Sequence, residues 1–187
     1  MVESFATLST ILSMVLGLGI TRLLLGVITV FRIRRRATVD WIPLAWAFCL
    51  FLTQLEYWWA ITQLPLVKPS FSFFDFVSLV VLTLMLFLAA ALLLPNRTED
   101  EQAGLRDYFE HEGRYALFAM AGFSSFGYLA NGMFFGAPWF SFLAILGVPL
   151  MVLPVVGFFR RDRTSQVIVI GLYLPLLLVD TLLSAGV

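Results

Sequence analysis

The sequence predicts an all-α, polytopic membrane protein of six transmembrane helices, and three observations carry that prediction. Hydrophobic residues make up 60% of the chain, charged residues only 13%, and the mean hydropathy is +0.94, whereas soluble domains carry about 25% charged residues. The apolar residues gather into six segments, each close to the ~20 residues that a helix needs to cross a ~30 Å hydrocarbon layer. The basic residues fall between these segments with a strong bias to alternate loops. Barrel strands are shorter and alternate in polarity, so a β-barrel is rejected; backbone groups in lipid must be satisfied within their own segment, which requires helices.

The first segment, residues 5–31, follows an N-terminus (MVESFATLST) without a positively charged leader and ends in a basic cluster, so it is expected to stay attached as a membrane helix rather than be cleaved as a signal peptide. The remaining segments run 41–64, 72–94, 115–135, 138–159 and 166–185. Arg32, Arg34, Arg35 and Arg36 follow the first; Arg97, Arg106 and Arg114 follow the third; Arg160, Arg161 and Arg163 follow the fifth. The opposite side holds Lys68 alone. By the positive-inside rule both termini lie on the outer side, which is the periplasm if the protein sits in a bacterial inner membrane. Trp58, Trp59, Phe71, Phe73, Phe74 and Trp139 fall at predicted outer boundaries, and Trp41, Phe158 and Phe159 at inner ones, as aromatic belts require.

The 187 residues read as a single transmembrane domain: a three-helix half over 1–95, a cytoplasmic loop over 96–114, and a second three-helix half over 115–187. Three is odd, so the halves have opposite orientation, the arrangement from which inverted-repeat transporters are built, although the two halves share no residue-level similarity. In the loop, Thr98 and Glu101 fit a capping box, and Leu105, Tyr108 and Phe109 share one side of a short amphipathic helix expected on the membrane surface.

The informative residues are the polar ones inside the apolar segments. Arg22 interrupts LGLGITRLLLG at roughly 14 Å from the inner boundary, and Glu56 lies roughly 22 Å from it, using about 1.5 Å per residue. A charge in a membrane helix needs a partner, and a short loop makes the first two helices neighbours, so an Arg22–Glu56 pair is expected. Gly19, Gly26 and Thr29 recur around Arg22 at helical spacing; Cys49, Thr53, Glu56, Ala60 and Gln63 do so on the second helix; Gln166, Tyr173 and Asp180 do so on the sixth. Small and hydroxyl residues in such stripes also serve plain helix packing. In the fourth segment, AGFSSFGYLANG, the polar members are Tyr128 and Asn131, and Gly132 with Gly136 forms a close-packing spacing. Pro149, Pro154 and Pro175 interrupt the last two helices and free backbone carbonyls.

Asp180 sits at the depth of Glu56, and Asp75 enters the third helix one turn inside the outer boundary. Three acids against one arginine leave negative charge in a low dielectric, so one acid keeps its proton, a cation binds, or water enters. Asp75 also has a simpler reading as a helix cap. These residues predict a proton- or cation-handling channel or transporter, with Glu56, Asp180 and Asp75 as ion or proton ligands, Arg22 as countercharge, and Thr53, Gln63, Tyr128, Asn131 and Tyr173 as secondary polar lining. The alternative is a non-catalytic membrane subunit or scaffold in which the Arg–Glu pair only fixes helix register.

Enzymatic chemistry is not expected, because the sequence holds no HExxH, GxSxG, Walker or CxxC motif, and its single histidine, His111, belongs to the cytoplasmic loop. With Cys49 as the only cysteine there is no intrachain disulfide. No cofactor, metal or nucleic-acid partner is indicated. The expected partners are the lipid bilayer and either further copies of the chain or a membrane subunit.

Overall fold

The computed structural model describes residues 2–34, 39–68, 70–95, 104–136 and 142–184. Among these every regular element is helical: α1 (Val2–Ile33), α2 (Trp41–Val67), α3 (Phe73–Leu93), a single turn α4 (Leu105–Tyr108) that runs into a π-helical turn (Phe109–Gly113), α5 (Tyr115–Phe135), α6 (Phe142–Phe159) and α7 (Arg163–Ser184). Three stretches, Thr7–Arg32 in α1, Phe73–Leu93 in α3 and Arg163–Ser184 in α7, are long and apolar enough to cross a membrane. The helices α2 and α5 match them in length, but Gln54, Glu56 and Gln63 in α2 and Ser124, Ser125 and Asn131 in α5 lower their hydropathy; α6 contributes a shorter apolar stretch, Ile145–Phe159. Apolar helices of this kind point to a membrane protein.

Local chemistry sets the ends. Asp40 caps α2, its side chain accepting from the Ile42 amide at 3.2 Å. Ser72 and Asp75 form a reciprocal capping box on α3, in which the Ser72 amide donates to Asp75 at 2.8 Å and the Asp75 amide to Ser72 at 3.2 Å. Gly136 stops α5 in the left-handed region (φ 59°), with its amide donating to the Asn131 carbonyl. A Cβ at Gly136 would meet nothing within 4 Å, so this glycine serves as a helix stop rather than as a packing surface.

The helices close into a ring in the order α1, α3, α5, α6, α7, α2, with α2 returning to pack on α1 and also touching α3 and α5. The halves differ in this respect: α1 and α3 pack extensively, whereas their counterparts α5 and α7 are separated by α6. Close approach of α1 to α3 depends on glycine. A Cβ on Gly26 would lie 2.6 Å from Leu94 Cβ at the end of α3, and one on Gly19 would lie 3.6 Å from Phe87 Cα of α3 as well as 2.9 Å from Gln54 Nε2 of α2. Elsewhere the contacts are large and apolar, with Trp46 and Tyr173 fully buried and their rings 4.9 Å apart between α2 and α7. The Tyr57 hydroxyl ties α2 to α3 by donating to the Leu79 carbonyl at 2.8 Å.

The segment between α3 and α5 departs from expectation in where its apolar side goes. Leu105, Tyr108 and Phe109 do share one side, and Arg106, Asp107, His111 and Glu112 are exposed opposite it. That apolar side docks on the bundle rather than on lipid: Tyr108 donates to the Leu92 carbonyl at 3.0 Å, and a Cβ on Gly113 would sit 2.8 Å from the Leu93 carbonyl. The end of α3 offers a closer apolar partner than the headgroup layer does. The Thr98–Glu101 capping box and Trp139 lie outside the described residues. Trp58, Trp59, Phe73 and Phe74 at one end, and Trp41 and Phe159 at the other, are exposed. Phe71 instead packs its ring 5.1 Å from that of Phe5, and Phe158 lies half-buried against Tyr115.

Candidate functional site

Inside the ring lies a partly open cleft of about 580 Å³, lined by residues of α2, α3, α5, α6 and α7. Its size falls within the ~300–1,000 Å³ range of small-molecule sites. Helix α2 contributes Thr53, Glu56, Ala60 and Gln63, which is the stripe read from its spacing, without Cys49, which is fully buried in the core. Helix α7 contributes Tyr173, Asp180 and Ser184, and α5 contributes Tyr128 and Asn131. Gly147, Leu150 and Met151 of α6 bracket Pro149 along one wall.

Glu56 and Asp180 therefore share one cavity, and Asp180 and Ser184 lie near enough to Glu56 to interact with it. Glu56 Oε2 is 3.3 Å from the Thr181 hydroxyl, which also lies 2.9 Å from the Leu177 carbonyl, so a single hydroxyl proton is shared between two acceptors. Thr181 escaped the sequence reading: positions 173, 177 and 181 follow one another at helical steps, but the stripe read on this helix is the seven-residue series Gln166, Tyr173 and Asp180. Among the described residues, no arginine or lysine lines the cleft. The described residues hold no group of three or more His, Cys, Asp or Glu able to ligate a metal, so these carboxylates stand as a pair.

Two expected members are elsewhere. Arg22 does not meet Glu56; its Nη2 donates to the Ala91 carbonyl at 3.0 Å and to the Leu94 carbonyl at 3.4 Å, at the C-terminal end of α3. The reason is rotation about α2. Gln54 faces α1, as its amide nitrogen beside Gly19 shows, and Glu56, two residues on, is about 200° further round the helix at 3.6 residues per turn. Glu56 thus points away from α1 and toward α7. For Arg22 the negative end of the α3 dipole and its orphan carbonyls supply acceptors in place of Glu56. Asp75 lies outside the cleft as well: it completes the capping box and pairs with Lys68 at 2.7 Å, with 5% of its side chain exposed.

Fold and site together define an all-helical bundle around a carboxylate-lined cleft, whose apolar helices suggest a membrane protein. No family model matches the chain, and no curated protein or solved structure is significantly similar to it.

Proposed function

We propose that this chain spans the membrane six times with both termini on the outer side, in the plasma membrane if the source is bacterial, and that it moves protons or small cations through the cleft between α2 and α7. One observation carries the reading: Glu56 and Asp180 line the same open cavity, and among the described residues no basic side chain lines it with them. A pair of carboxylates in a low-dielectric surrounding is too costly to stay doubly charged and uncompensated, so the pair takes up a proton, a cation or water. Thr53, Gln63, Tyr128, Asn131 and Tyr173 supply oxygen and amide groups around it. Thr181 and Ser184 add hydroxyls next to Glu56. Arg22 and Asp75 belong to the scaffold. The role is transport rather than catalysis.

The test is ion flux in proteoliposomes. Glu56→Gln and Asp180→Asn are isosteric and remove one charge each, so flux should be abolished in both while the folded protein is still recovered. Wild-type flux from both variants would remove the carboxylates from the mechanism. The non-catalytic subunit remains the second reading, favoured by the exposure of Trp58, Trp59, Phe73 and Phe74; it gains if the wild-type protein conducts nothing.

A further inference from the structure

At the end of the bundle that carries Asp40 and Arg160, five arginines converge on one recess. Arg106 comes from α4, Arg114 from the residue before α5, Arg160 and Arg161 from the α6–α7 link, and Arg163 from the start of α7, with the two carboxylates Asp40 and Glu110 among them. The carboxylates already have partners: Asp40 faces Arg163 at 3.6 Å and Glu110 faces Arg106 at 2.7 Å. Arg114 lies over the rings of Tyr115 and Phe158, 5.6 and 5.3 Å from their centroids, and its Nε is buried without a hydrogen-bond acceptor among the described residues. Arg160 and Arg161 are exposed and make no ion pair among the described residues.

The backbone under this cluster is fixed. Gln166, only 7% exposed, donates through Nε2 to the carbonyls of Gly157 and Arg160 at 2.6 and 2.5 Å, and so holds the link that carries Arg160 and Arg161 and leads into Arg163. The recess has about 20 Å³ of free space, enough for a water-sized oxygen. Trp41, Tyr115 and Phe159 are exposed at the same end of the bundle, as interfacial aromatics are.

We propose that this arginine recess binds a phosphate group, and that its ligand is the headgroup of an anionic phospholipid. Guanidinium groups match phosphate oxygens in geometry and stay charged at any physiological pH. A shallow recess that admits one oxygen leaves the rest of the ligand outside, as a lipid demands, and basic pockets between membrane helices on the cytoplasmic side take such headgroups. The lipid source rests on the membrane assignment; the site itself is independent of cation transport.

The test uses the full chain in detergent, with unfolding followed on addition of phosphatidylglycerol, phosphatidylcholine or inorganic phosphate. At a hundredfold excess over the dissociation constant, phosphatidylglycerol should raise the melting temperature by about 5 °C or more, and phosphatidylcholine should not. Arg160→Gln combined with Arg161→Gln removes two guanidiniums, of which Arg160 lies in the field of Asp162, without breaking an ion pair within 4.0 Å among the described residues, and should weaken the lipid effect at least tenfold. Arg34→Gln is the control, since Arg34 belongs to the end of α1, where it donates to the Phe31 carbonyl, and this change should leave the effect intact. An equal shift from inorganic phosphate, lost in the same double variant, supports the site with a free anion as ligand. Equal shifts from both lipids, an equal loss in Arg34→Gln, or no shift from any additive overturns it. Recovery of the chain in an aqueous fraction without detergent removes the lipid and leaves the phosphate arm to decide.

Discussion

If Arg22 serves α3 rather than Glu56, then changing both residues must be additive in stability. Arg22→Met keeps the length of the apolar stem and removes the guanidinium that donates to the Ala91 and Leu94 carbonyls. Hydrogen bonds to charged groups contribute about 1.5–3 kcal/mol each, and at 3.4 Å the second is long, so the expected loss is about 3 kcal/mol. For a chain of this size that corresponds to a fall of about 6–12 °C in melting temperature. Glu56→Gln keeps an oxygen facing Thr181 and should cost little.

The double variant should then melt where the two single changes sum, with a coupling under about 0.5 kcal/mol, as for residues without a shared partner. Cys49 makes the assay simple: it is the only cysteine and is 0% exposed, so a thiol-reactive dye reports unfolding directly. Tyr57→Phe with Thr83→Val is the positive control, because those hydroxyls are 3.2 Å apart and should couple. A coupling above about 1 kcal/mol between Arg22 and Glu56 would refute the assignment and restore a direct ion pair.

Other substitutions test the packing and the caps in the same assay. Gly26→Ala drives a methyl to 2.6 Å from Leu94 Cβ, close to rigid backbone, and should cost about 1–3 kcal/mol by forcing α1 from α3; Gly17→Ala, in open space, should cost nothing and can gain up to about 1 kcal/mol. Asp75→Asn should lower stability by about 1 kcal/mol through the cap of α3 and leave flux unchanged, whereas loss of flux would return Asp75 to the ion path. Gln166→Leu should cost about 2 kcal/mol by leaving the Gly157 and Arg160 carbonyls without their donor, and an unchanged melting temperature would contradict that role. Asp162, in the α6–α7 link, accepts from Ser165, which holds its carboxyl below the ordinary range. A depressed carboxyl adds stability above its unfolded value and loses it as pH falls through the folded one; Asp162→Asn should therefore flatten the acid limb of stability, and an unchanged limb would count against it.

Much of this molecule was legible without coordinates. Composition and segment lengths gave the helical class, because hydrocarbon burial depends on side-chain type and helix span, both of which are written along the chain. Spacing gave the α2 stripe of Thr53, Glu56, Ala60 and Gln63 and the apolar side of Leu105, Tyr108 and Phe109, since 3.6 residues per turn is a local property. It also offered a cap for Asp75, because a capping box is closed within four residues.

What a stripe faces is another matter. Periodicity places Glu56 on a face of α2 but leaves that face free to rotate toward any neighbour, and only the ring of helices turned it to Asp180 and Thr181 instead of Arg22. Arg22 itself is answered by backbone carbonyls of α3, which carry no side-chain signature, some seventy positions along the chain. The arginines at 106, 114 and 160–163 read only as a charge bias until three separate segments bring them round one recess. Sequence alone thus determined which segments are apolar helices and how each helix is striped, because those follow from short-range geometry and transfer energy. Tertiary structure alone decided the partners, because the free energy of a buried charge depends on whatever the fold puts within a few ångströms of it.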